Sequence, residues 1–443
     1  MITRRDFIKN VTLFSVSAPS VMSSPFALAA DNRTQSKALV CVMLDGGNDS
    51  ANMVIPTSTS HYQTYYDLRP DLAQPKEKVL PIPAAGVCRD GQSVTLGLHP
   101  AMTALADLCN AGEASVIVNC GVLRQPVTKE QADTQGYLLP PFLFSHNSQK
   151  TEVCKGAVGY NWTTGWAGRL MDVLSADQSI APLFSHAGDI QLLRAQTYNQ
   201  NIIKGDNISK LNANAMTVEA LAQMQALPSE DGFAQTVQST GHDAINVAAR
   251  LIDTIDAIPD EDDVPLYPNT GLGKQFRVTS RLIRQRAELG HSHQIFFLRL
   301  SGFDTHVDQE NTHKEKYAEL SDAMAAFNAH LKTLGLHDDV VTITLSDFGR
   351  RIPANGTGTD HGWGGHQLIM GGPVDASMFI GTWPDYTVEG PDTVERGRLL
   401  PSIATDQIHI SLGRWLGAKD TTLKAVFPNY DNFERLDVVK LTS

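Results

Sequence analysis

Seven consecutive apolar residues, Ala38 to Leu44 (ALVCVML), stand between Lys37 and the turn-forming Asp45-Gly46-Gly47. A run without polar alternation predicts a strand covered on both faces, as in a parallel sheet. His99-Pro100 then opens a helix with Met102, Leu105 and Leu108 at helical spacing and Gly112 as its stop, followed by a second run, Ser115 to Asn119. Ile295 to Leu300 and Val340 to Leu345 are two further buried strands. Between them Tyr317, Leu320, Met324, Phe327, Leu331 and Leu334 alternate steps of three and four up to Gly335, the pattern of an amphipathic helix. A helix of that length between two buried strands makes a crossover and implies parallel pairing. The fold class is therefore α/β: a doubly wound, mainly parallel sheet with helices on both faces. Residues 237–258 and 276–289 read as helices around an acidic loop, which places a helical insertion near 196–290 within one domain spanning 31–443.

The first thirty residues have a different pattern. Thr3-Arg4-Arg5-Asp6-Phe7-Ile8-Lys9 precedes a modestly apolar stretch and an Ala27-Leu28-Ala29 site, which is the form of a twin-arginine signal peptide over residues 1–30. The expected partner is the twin-arginine export machinery, and the expected location is the periplasm or another exported compartment. No other segment reaches the roughly 18 apolar residues of a membrane span, so no stable membrane insertion is expected after cleavage. The 36 basic and 48 acidic residues give a net charge of −12. Without a basic block, this balance offers little grip on a nucleic-acid backbone. The five cysteines include no Cys-x-x-Cys, and because five is odd at least one thiol stays unpaired, Cys41 in its apolar run being the first candidate.

The chemistry gathers at strand ends. Ligands of open α/β sheets sit beyond the carboxyl ends of the strands, and there the chain carries Asp45, then Asp304 with His306, then Asp347, with Asp360-His361 following in a glycine-rich loop. Each of these alone can be a turn or capping residue. Together, three carboxylates on one rim repel unless a cation neutralises them. The candidate ligands are thus Asp45, Asp304, His306, Asp347 and His361, for one or two ions of Zn²⁺, Mn²⁺ or Mg²⁺.

Five motifs carry a family resemblance: Leu44-Asp45-Gly46-Gly47-Asn48-Asp49-Ser50, Ser145-His146, Phe303-Asp304-Thr305-His306, Ser346-Asp347-Phe348-Gly349-Arg350-Arg351 and Asp360-His361-Gly362-Trp363. With Arg398-Leu399-Leu400-Pro401, Arg414-Trp415-Leu416-Gly417 and Phe427-Pro428-Asn429 at the end, the chain resembles an exported bacterial family known as domain of unknown function 1501. That family is regarded as a sulfatase-like branch of the alkaline phosphatase superfamily. The resemblance implies an alkaline-phosphatase-like fold with metal at the strand ends, Asp45 as first ligand, Asp304 and His306 as the central pair, Asp347 and His361 as the late ligands, and Ser145 as nucleophile. Two positions depart from the superfamily pattern. Phe348 stands where a histidine follows the late acid, and the gap from Asp304 to His306 is short. The Cys/Ser-x-Pro-x-Arg activation motif of sulfatases is missing, which counts against formylglycine chemistry.

The resulting expectation is a metal-dependent hydrolase of phosphate or sulfate esters acting on a small anionic substrate. Ser145 would attack, His146 would orient it, and Arg350 would clamp the anion. Ser145 could instead simply cap a helix, with Ser50 as the second candidate nucleophile. The alternative is a non-catalytic exported binding or assembly protein on the same fold.

Overall fold

The computed structural model describes residues 36–175, 180–205, 207–208, 245–374 and 379–441. The signal-peptide reading lies outside them, as does most of 206–244. Nine strands form the main sheet among the described residues: β1 (Lys37–Asp45), β2 (Ala114–Gly121), β3 (Leu183–Ser185), β4 (Asn201–Lys204), β5 (Asn207–Ile208), β6 (His293–Ser301), β7 (Val340–Ser346), β8 (Gly365–Met370) and β9 (Ile403–Ala404). Their spatial order is β9-β2-β8-β7-β1-β6-β3-β4-β5. All pairings are parallel except those of β8 with β7 and β2, and of β5 with β4.

Two-sided burial of β1 explains its unbroken apolar run. Because side chains alternate across a strand, Ala38, Val40, Val42 and Leu44 enter one core cluster while Leu39, Cys41 and Met43 enter another on the opposite face. The first face is covered by α1 (Thr103–Asn110), α4 (Gly271–Arg284) and α5 (Gln309–Thr333) through Leu105, Phe276 and Tyr317. The second is covered by α2 (His146–Lys155), α3 (Trp166–Leu174) and α6 (Thr405–Trp415) through Val153, Leu170 and Leu412. Each fully buried aliphatic side chain on β1 contributes roughly 1.5–3 kcal/mol of transfer free energy. A charge at any of the seven apolar positions would have no solvated side to face.

The crossover helix α5 links β6 to β7, as its periodicity predicts, and the two strands are parallel. They do not pair with each other, because β1 lies between them with Leu44 opposite both Leu300 and Ser346. Three strand ends therefore open side by side, which sets the position of the site. Within the range of the expected helical insertion, β4 and β5 extend the sheet at its start, and helix among the described residues is found at 245–256, at Asp260–Asp263 and in α4. A separate three-stranded sheet (Val54–Pro56, Leu80–Val87, Ser93–Leu98) lies between β1 and α1 in sequence and was not foreseen. All five cysteines are buried free thiols.

Candidate metal centre

Glycines let the strand ends close on one another. Gly46 has φ +117°, and a Cβ there would overlap the backbone nitrogen of Asp304, while a Cβ on Gly349 would overlap the Gly364 carbonyl. The loop after β1 can thus lie against the segment carrying Asp304, and the turn after β7 against the one carrying His361. An isolated bridge between Arg350 and His361 fixes that second approach.

The side chains converge on Asp304. Its Oδ1 lies 3.1 Å from His306 Nε2, 3.1 Å from Arg350 Nη2, and 3.4 Å from both His146 Nε2 and His361 Nε2. The two latter nitrogens are 3.1 Å from each other. Hydrogen bonding fixes their tautomers. His361 Nδ1 faces the Phe144 carbonyl oxygen at 2.8 Å, and His146 Nδ1 faces Asp347 Oδ2 at 2.8 Å. Both partners can only accept, so both Nδ1 atoms carry hydrogen and, in the neutral rings, both Nε2 atoms present lone pairs. Two imidazole lone pairs and a carboxylate oxygen then point into one small space. Among the described residues, His146, Asp304 and His361 are the group whose donor atoms all lie within 4.8 Å of one another.

The charged groups of the cluster act on one another's protonation. Burial pushes the Asp304 carboxyl up, but Arg350 and the imidazoles of His146, His306 and His361 together hold it below the usual carboxylate value. The bond to Asp347 raises the His146 imidazole against partial burial, and burial lowers that of His361. Asp347 Oδ1 is buried and meets no donor among the described residues, while Oδ2 also takes the Gly46 N–H at 3.3 Å.

The expected residues therefore share one neighbourhood with different duties. Asp304 and His361 belong to the convergent group. His306 touches Asp304 from the exposed side, and Asp347 holds His146. Asp45 lies outside that group: its Oδ1 takes Lys150 Nζ at 2.6 Å, and Arg299 Nη1 stands 3.9 Å from Oδ2. Lys150 keeps its proton above the usual lysine range because the Asp45 bond and the field of Asp347 outweigh burial. Arg350 is 2 % exposed and donates Nη2 to Asp304, with Nε and Nη1 enclosed and without acceptors among the described residues. It braces Asp304 from beneath and does not face solvent as an anion clamp would.

Ser145 is the N-cap residue of α2, yet its hydroxyl makes no capping bond and the residue is exposed. Ser50 is buried at the start of the short helix Ser50–Met53. Sequence reasoning gave His146 only an orienting role and passed over Lys150. The signal available was their i, i+4 spacing, which puts both on one face of α2. It also passed over the buried Asp49–Arg69 pair at 2.7 Å, to which Gln309 adds a bond, although this pair anchors the loop after β1. Phe348 packs against the His146 and His361 rings at centroid distances of 4.6 and 4.9 Å.

The family model described as Protein of unknown function (DUF1501) matches residues 36–403. The chain belongs to this family. A search of curated proteins found no match. Similar solved structures include Ps i-CgsB in complex with k-i-k-neocarrahexaose, at 10 % identity over 90 % of this chain and 77 % of that one with TM-score 0.38. Another is a protein in the alkaline phosphatase superfamily from Vibrio parahaemolyticus, at 11 % identity over 88 % and 69 % with TM-score 0.36. A third is the lipoteichoic acid synthase LtaP from Listeria monocytogenes, at 10 % identity over 87 % and 73 % with TM-score 0.33. At overlaps this low, the α/β assignment of this family member stands on its own strand order, and its chemistry on its own residues.

Proposed function

We propose that this protein is an exported, metal-dependent hydrolase of phosphate or sulfate esters. One observation carries the reading: the lone pairs of His146 Nε2 and His361 Nε2, 3.1 Å apart, face each other and Asp304 Oδ1 with hydrogen already committed on both Nδ1 atoms. Nitrogen and carboxylate donors favour Zn²⁺ or Mn²⁺ over Mg²⁺, which prefers oxygen alone. His146, Asp304 and His361 would hold the ion, with His306 beside them for a second or exchanging contact. A divalent cation there supplies Lewis-acid polarisation of an ester's non-bridging oxygens.

The chain's own groups then divide the work. Ser145, exposed and free of a capping bond, is the attacking hydroxyl, next to His146 in sequence. Asp347 keeps His146 oriented through Nδ1. Lys150 and Arg299 neutralise Asp45 at the rim, so an anionic substrate meets less repulsion there. Export rests on the Thr3 to Lys9 motif and places the substrate outside the cytoplasm.

The test is metal analysis of the purified chain, followed by aryl phosphate, phosphodiester and aryl sulfate assays under Zn²⁺, Mn²⁺ and Mg²⁺. Hydrolysis is expected with at least one ester class, falling by ~10³-fold or more in Ser145→Ala and lost in His361→Ala. Absence of bound metal and of hydrolysis under every cation would leave the binding-protein alternative in its place. Full activity in Ser145→Ala would remove the nucleophile assignment alone. Cell fractionation with and without Arg4→Lys/Arg5→Lys tests export.

A further inference from the structure

The large apolar side chains that this fold leaves in water are not spread evenly. Among the described residues the three most exposed are Phe142 at 80 %, Tyr137 at 75 % and Val307 at 73 %. A single exposed apolar residue needs no explanation. These three all lie on the two segments that carry the centre: 136–145 leads into Ser145 and His146, and 302–308 holds Asp304 and His306.

Both segments are tied to the site. The Phe142 carbonyl accepts the Ser145 N–H at 3.1 Å, closing a four-residue turn that brings the two Cα atoms within ~7 Å of each other. Gln149 Nε2 of α2 donates to the Pro141 carbonyl at 3.2 Å, and the Phe144 carbonyl takes the His361 Nδ1 hydrogen. Leu139, Leu143 and Phe144 pack inward on a small core that includes Trp363 and Leu400, and the Arg398 guanidinium lies 4.1 Å over the Phe144 ring. These anchors hold Phe142 and Phe144 at φ +49° and +71°, a region that bulky side chains rarely adopt. The inward residues thus fix the segment, and Tyr137 and Phe142 are kept out of the core. On the other segment the His306 ring stands 5.0 Å from that of His361, which holds the neighbouring Val307 at the same rim.

We infer that Phe142, Tyr137 and Val307 form a subsite for the organic group of the ester, so that the substrate carries an alkyl chain or an aromatic ring beside its phosphate or sulfate. This subsite rests on the reading of the centre as an ester hydrolase and adds its substrate class. An apolar group laid on these side chains removes both surfaces from water, and each methylene fully buried there is worth roughly fourfold in affinity.

The test titrates the full chain, in the presence of Zn²⁺, with methylphosphonate, octylphosphonate and phenylphosphonate, which have no ester bond to cleave, and reads binding by calorimetry. At least one of the two apolar phosphonates is expected to bind ~10-fold or more tighter than methylphosphonate, and which one does so tells a chain from a ring. Phe142→Ala should narrow that gap to ~3-fold or less, while Phe142→Leu keeps most of it, with thermal unfolding as the control for folding. Tyr137→Ala and Val307→Ser should each narrow it as well. Equal affinity for all three probes, or a preference that survives Phe142→Ala, would overturn the subsite. A Phe142-dependent preference in a chain that hydrolyses no ester would keep the subsite and remove the hydrolase reading.

Discussion

Asp347→Asn separates a residue that holds a ligand from one that is a ligand. Asp347 Oδ2 takes the His146 Nδ1 hydrogen at 2.8 Å, and Asp347 lines a small internal space with Ser50, Gln149, Gln367 and Thr405. An asparagine oxygen can still accept from Nδ1, so the ring keeps its tautomer and loses the negative charge that makes Nε2 more basic. Asparagine is nearly isosteric with aspartate, and Asp347 Oδ1 has no donor to lose among the described residues, so folding stability should change little. Removing such a supporting carboxylate typically costs 10–100-fold in metal affinity, or about 1.4–2.7 kcal/mol. Competition with a chromophoric chelator for Zn²⁺ reads this directly, with thermal unfolding of the metal-free chain as control. Affinity unchanged within twofold would refute the orienting role. A complete loss, equal to that of His361→Ala, would make Asp347 a direct ligand.

Three other outcomes follow from the same structure. Gly46→Ala must place a Cβ onto the Asp304 backbone at φ +117°, so it should lower stability by more than about 1 kcal/mol and weaken metal binding with it, read by urea unfolding and chelator competition. Asp49→Ala leaves the fully buried Arg69 guanidinium without its carboxylate, and a loss of about 3–5 kcal/mol is expected in the same unfolding assay. Burial raises the Asp406 carboxyl to about 7, so between its unfolded value near 4 and that pH the folded chain holds a proton the unfolded chain has released. Stability should then fall by roughly 4 kcal/mol as pH rises through this window and level off above it. Asp406→Asn should remove that slope and raise the melting temperature at pH 8; an unchanged pH profile would refute the assignment.

What could be read in the sequence depended on how local its cause was. Residues 38–44 must form a strand covered on both faces because no polar side is available to face water, 295–300 and 340–345 follow as mainly apolar strands interrupted only by Arg299 and by Thr342 and Thr344, and the acids that end them had to fall near one rim once the strands were parallel. The spacing of Tyr317 to Leu334 determined α5 in the same way. The antiparallel strand Gly365–Met370 was hidden because its start, Gly365-His366-Gln367, carries the polar and glycine content of a loop, and only burial between β2 and β7 makes it a strand. The duties of the site residues were decided by tertiary packing alone. His146 and Asp347 are 201 positions apart, and Lys150 and Asp45 are 105 apart. Both pairs meet because α2 is laid across the strand ends by a core formed elsewhere. Charge pairing at that range depends on distances of a few ångströms, which composition and spacing along a chain do not fix, whereas the preference of an apolar run for a dry environment is settled by the run itself.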